Sequence, residues 1–187
     1  MAMQMTACQS MKVIGPDLEV APNNYIARNS GYRVTVKGKA KNMALPLRRV
    51  LLGVGSGMDG FQSIAICDDG RIEVVNRAAP LRYEKISVHI PSAQAAAFLK
   101  GPACSHARRL RGSYSLEGIA DGGQAFARLE TSGASTFTWM NNSYPGDFQE
   151  LWAQARELVM SVTTGWTKIA EGLDGQEECG HASDLER

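Results

Sequence analysis

The chain has 187 residues, 44% of them hydrophobic, and a formal net charge of +1. That length and composition suit a single globular domain. The near-zero charge excludes a global field that draws in nucleic acid or an anionic membrane, and no apolar run is long enough to span a bilayer.

The first residues, Met5-Thr6-Ala7-Cys8-Gln9-Ser10, resemble the end of a bacterial lipoprotein signal, where a small residue precedes an acylated cysteine. The resemblance implies lipidation at Cys8 and a periplasmic or lipid-anchored protein, with the charged and apolar parts of the signal lying upstream of Met1. The alternative is a cytosolic N-terminus. Pro16, Pro22, Asn23, Asn24 and Asn29 then predict a tether, so residues 1–31 are read as tether and leader remnant.

From Tyr32 the pattern alternates. Tyr32, Val34 and Val36 are expected inward on a first strand, followed by an exposed basic stretch from Lys37 to Lys41. Leu47 to Val54 predicts a second strand, and Gly53, Gly55, Gly57 and Gly60 a glycine-rich loop. Phe61 to Cys67 and Arg71 to Val75 form a hairpin across Asp68-Asp69-Gly70. After a loop at Pro80, Ile86, Val88 and Ile90 share a strand face. Ser92 is expected to cap a short alanine-rich helix that stops at Gly101-Pro102. Leu110 to Leu116 reads as strand, and Ala125 to Thr131 with Ser135 to Met140 as a hairpin.

Pro145 to Leu173 carries the strongest pattern. Phe148, Leu151, Trp152, Ala155, Leu158, Val159 and Val162 form one helical stripe, which Trp166 and Ile169 extend. Asp147 is the expected N-cap, with Glu150 at capping-box spacing. The predicted fold is α+β: a mostly antiparallel sheet with one short helix and a long C-terminal amphipathic helix packed on it. Residues 32–173 make the domain, and 174–187 a polar tail without fixed structure.

Candidate chemistry is sparse. Gly55-Ser56-Gly57-Met58-Asp59-Gly60 has dinucleotide-binding spacing. Strand-like Phe61 to Ile66 follows it, where the pyrophosphate needs a helix N-terminus, so no cofactor is expected. Cys104-Ser105-His106 and Cys179-Gly180-His181 lack the usual zinc spacings, and no metal is expected. Asp68 and Asp69 read as turn residues. His89 is expected on an outer strand face, and Arg108, Arg109 and Arg111 as solvated charge rather than a nucleic-acid face. No serine or cysteine nucleophile declares itself with a histidine. In an oxidising compartment Cys67 and Cys104 are the disulfide candidates; the alternative makes Cys67 a buried core thiol.

The order Asp59-Gly60-Phe61, strand, Asp69-Gly70, strand, Ile90-Pro91-Ser92 opening a short helix, then the Ala125 to Met140 hairpin, Tyr144-Pro145 and a leucine-rich helix resembles the layout of emfourin-type bacterial domains over residues 53 to 165. Those domains inhibit metalloproteases by binding them. The resemblance implies a non-enzymatic exported binding protein, an inhibitor or immunity-type partner of another protein. The glycine-rich loop, with Gly55, Gly57, Met58, Asp59, Gly60 and Phe61, is the expected binding tip; the alternative is a plain hairpin connection. Two other functions stay open: a small-ligand binder or small enzyme whose site forms only in the fold, and a structural envelope lipoprotein.

Overall fold

The structure, a computed structural model, describes residues 14–18, 33–41, 43–56, 60–79, 82–119 and 122–173. Strands β1 (Val34–Lys37), β2 (Leu47–Ser56), β3 (Gly60–Cys67), β4 (Arg71–Ala79) and β5 (Arg82–His89) lead into helices α1 (Ser92–Leu99) and α2 (Pro102–Ala107). Strands β6 (Ser113–Leu116), β7 (Gln124–Thr131) and β8 (Ser135–Asn141), helix α3 (Gly146–Ser161) and strand β9 (Thr167–Leu173) complete the order. The nine strands of the described residues lie in one sheet, in the order β1-β6-β8-β7-β2-β3-β4-β5-β9.

Strand alternation gives the sheet two unlike faces. Val50, Leu52 and Val54 of β2, Ile64 and Ile66 of β3, Ile72 and Val74 of β4, and Ile86 and Val88 of β5 point one way into the main core. Ala125, Ala127 and Leu129 of β7 and Met140 of β8 join them. The buried side chains of the three helices among the described residues belong to this same cluster, so these helices cover one face of the sheet. At the β3–β4 turn, Asp69 Oδ1 accepts from the Arg71 N–H at 2.9 Å, and Gly70 sits at φ +96°. A Cβ on Gly70 would lie 2.2 Å from the Ile90 carbonyl oxygen, so glycine is required by close approach as well as by φ.

Several expectations are corrected. The sheet is mixed, because β6 runs parallel to β8 while every other neighbouring pair is antiparallel. β7 is flanked by its hairpin partner β8 on one side and by β2 on the other. β6 therefore takes the outer edge of β8 rather than pairing with its chain neighbour. Two short helices stand where one was expected: Gly101-Pro102 stops α1, but proline at the first helical position then opens α2. The first helix has Pro91 rather than Ser92 at its N-cap position, with no side-chain cap bond.

The helix near the C-terminus is also shorter than expected and is not the last element. α3 ends at Ser161, and Val162 is extended at φ −89°, ψ 99°. The β-branched run Val162-Thr163-Thr164 disfavours helix, and Gly165 at φ +85° completes the break. The chain then returns as β9, antiparallel to β5. Trp166 is buried, whereas Ile169 is 51% exposed. The N-cap position is Pro145; Asp147 lies inside the first turn, where its charge suits the helix dipole. Glu150 contacts His106 and Gln154 instead of closing a capping box. On edge strand β1, Val34 and Val36 are 40% and 39% exposed rather than inward.

Candidate functional site

The opposite face of the sheet carries a second, smaller cluster. Leu51, Phe61, Ala65 and Phe126 are buried there, with Phe137 and Trp139 half-buried against them, and every one of these is a strand residue of β2, β3, β7 or β8. Register brings the rings together: Phe126 lies opposite Trp139 across β7–β8, and Gly53 opposite Phe126 across β2–β7. The Phe61 ring is tilted against both Phe126 and Trp139, with centroids 5.7 Å away in each case. Phe137 stacks on Phe126 at 6.1 Å and on Trp139 at 6.4 Å. The Arg128 guanidinium lies 5.5 Å from the centroid of the Phe137 ring, within cation–π range.

Gly53 makes this packing possible. A Cβ there would come within 2.1 Å of Phe126 Cε1, so the ring lies across the bare backbone of β2. Charge borders the aromatic island on the same face. Arg49 pairs with Glu130 at 3.5 Å, and Glu73 with Arg71 at 2.7 Å and Lys85 at 3.1 Å. The face thus has an apolar aromatic centre bordered by ion pairs.

The expected tip falls partly beside this island. Gly55 lies opposite Phe61 and Ser56 opposite Gly60, so these residues close the β2–β3 hairpin. Gly60 is at φ +80°, and a Cβ on Gly55 would meet the Gly60 carbonyl oxygen at 2.1 Å. Phe61 is 8% exposed and belongs to the sheet-face cluster, not to a protruding loop. Gly57, Met58 and Asp59, like Cys8, Cys179 and His181, lie outside the described residues. Alternation in the predicted strand Ser135 to Met140 puts Phe137 and Trp139 on one side, and Phe126 joins them through the β7–β8 register.

Cys67 and Cys104, the disulfide candidates, are both buried free thiols. Alternation puts Cys67 on the aromatic side of the sheet, whereas Cys104 sits on α2 in the main core. Burial pushes Cys104 up to about 12 against the opposing charge of Arg108. Burial also raises Cys67, opposed by Arg71 and Arg49. Both thiols are therefore protonated at neutral pH and are poor nucleophiles. His106 Nδ1 lies 2.9 Å from Glu150 Oε2, which ties α2 to α3. His89 is exposed. Among the described residues no group of three or more His, Cys, Asp or Glu is placed to hold a metal, and no helix is long and apolar enough to cross a membrane.

A shallow cavity of about 390 Å³ opens where β2 begins, between Leu47, Leu99, Ser105 and Arg108. The Arg108 guanidinium donates to the Met43 and Leu45 carbonyls. Among the described residues its charged lining is Lys100 and Arg108, with Ser105 as the polar group. Comparison with family models, curated proteins and solved structures finds no match to this chain.

Proposed function

We propose that the protein is a non-enzymatic binding module that recognises another protein with the aromatic side of its sheet. The observation that carries this reading is the Phe61–Phe126–Phe137–Trp139 island, with Arg128 over Phe137 and ion pairs around it. Aromatic and arginine side chains dominate the energy of protein interfaces, and a rigid sheet presents them at little cost in conformational entropy. Of the expected tip, Gly55 and Gly60 adjoin the island through the β2–β3 pairing, and Phe61 belongs to it. The finer form of the reading, an inhibitor or immunity-type partner, rests on the emfourin-like layout.

The test pairs Phe137→Ala with Trp139→Ala and measures affinity for a partner isolated on the wild-type protein. Affinity should fall at least about tenfold, as for interface hot spots. Met160→Glu, on the exposed side of α3, should leave it unchanged. Undiminished affinity in the aromatic double variant overturns the assignment of the face. For an inhibitor, the partner's own activity should fall on binding. A second reading, a small-ligand binder, draws on the cavity at Leu47 and Leu99, whose size lies within the range of ligand pockets. Saturable small-molecule binding lost in Leu99→Trp, with no loss in the aromatic double variant, would favour it.

A further inference from the structure

On the helix-covered face, two polar residues interrupt the apolar rows of the central strands. Gln62 precedes Ile64 and Ile66 on β3, and Asn76 follows Ile72 and Val74 on β4; they are 4% and 6% exposed. They lie one step beyond the Ser63–Val75 pair, so their side chains share one end of the same face. Both are turned on the backbone of residues 14–18. Asn76 Oδ1 accepts from the Asp17 N–H at 3.0 Å, and Asn76 Nδ2 donates to the Gly15 carbonyl at 3.1 Å. Gln62 Nε2 donates to the Asp17 carbonyl at 2.8 Å. From α3, Arg156 Nε donates to the Leu18 carbonyl at 3.1 Å.

The pattern of recognition is selective. All four bonds go to main-chain atoms, which any extended segment offers, and the Asp17 side chain is exposed. Only Leu18 is read as a side chain; it is 6% exposed and joins the main core. Main-chain bonds for affinity with one apolar pocket for specificity is how proteins bind extended peptides. Buried amides at positions that alternation assigns to apolar side chains are costly unless matched by such partners.

We propose that the groove between α3 and the ends of β3 and β4 is a binding site for an extended, leucine-bearing peptide of a partner protein, occupied in cis by residues 14–18. The cis segment then acts as a competitor that a partner's segment displaces. The site lies on the opposite face of the sheet from the aromatic island and does not depend on it.

The experiment keeps the whole chain. A protease site is inserted between Asn23 and Asn24, the protein is cleaved, and both pieces are kept together. A fluorescent peptide of residues 12–20 is then titrated in and followed by anisotropy. The labelled peptide should exchange in saturably and displace the cleaved segment. In the peptide, Leu18→Asp should weaken binding by about tenfold or more, whereas Asp17→Ala should leave it within about twofold. Asn76→Leu in the protein should also weaken it, and the peptide variants keep the test valid if that protein misfolds. Failure of the labelled peptide to bind, equal affinity for the Leu18→Asp peptide, or unfolding of the cleaved protein would each overturn the proposal and make the segment a fixed part of the core.

Discussion

Gly53 and Phe126 show how tightly single residues are matched on the aromatic face. The Phe126 ring is fully buried and occupies the space a Cβ on residue 53 would need, 2.1 Å from Cε1. Gly53→Ala must push the ring outward, and overpacking of this kind costs about 1–3 kcal/mol. Denaturant unfolding should show that loss, and Gly53→Ala with Phe126→Leu should recover part of it. An unchanged midpoint in the single variant would mean that the ring is free to move. The glycine was legible in the sequence only as loop material, since glycine's usual link to turns concealed its use as a seat for an aromatic ring. Cys104 offers a second check at this scale. Its ordinary value of 9.0 is raised to about 12 by burial. Below pH 9 the thiol is protonated in both the folded and the unfolded chain. Above it the unfolded chain ionises first, so stability present below about pH 9 is lost as pH rises toward 12. Burial also raises Tyr144 to about 12, which adds to the fall above pH 10. Urea midpoints from neutral to about pH 11 should decline, and less steeply in Cys104→Ala. Equal slopes would show that Cys104 does not supply the effect.

At the scale of elements, the sequence revealed periodicity but not endings. The stripe Phe148, Leu151, Trp152, Ala155 and Val159 is buried as its 3.6-residue spacing requires. The same spacing runs on by coincidence to Trp166 and Ile169, which disguised the break after Ser161. What settles the end is local chemistry, a β-branched run and a glycine at positive φ, together with a pairing to β5 that no local pattern encodes. The parallel β6–β8 pair was hidden for the same reason, because strand direction there follows from which edges β2 and β8 have already taken. Small residues fit α2 into the main core: Ala103, Cys104 and Ala107 are buried there, and α2 and the turn after it adjoin α3 through the His106–Glu150 hydrogen bond and the Arg109–Asp147 ion pair. These pairs are partly exposed, so Glu150→Gln should change stability by less than about 1 kcal/mol. Ala107→Leu, by contrast, has no room and should cost about 1–3 kcal/mol. Thermal unfolding of the two variants compares them directly, and a larger loss in Glu150→Gln would mean that charge rather than packing holds α2 in place.

On the scale of the whole molecule, the helices among the described residues lie on one side of the sheet, and its edges are to be protected. Among the described residues, β1 and β9 end the sheet and carry exposed apolar side chains: Val34 and Val36 on β1, and Ile169 on β9. Such edges template pairing with another chain unless charge discourages it. Charge is present at both. Arg33, Lys37, Lys39 and Lys41 surround β1, and Lys168 on β9 pairs with Glu84 and Glu171. Lys37→Val with Lys168→Val removes one charge from each edge and touches no buried side chain. Monomer stability should therefore change by no more than about 0.5 kcal/mol per site. Self-association should nonetheless rise, visible in light scattering as concentration increases, and salt should promote association of the wild type by screening the same charges. A double variant that scatters no more than the wild type at matched concentration would show that charge does not guard these edges.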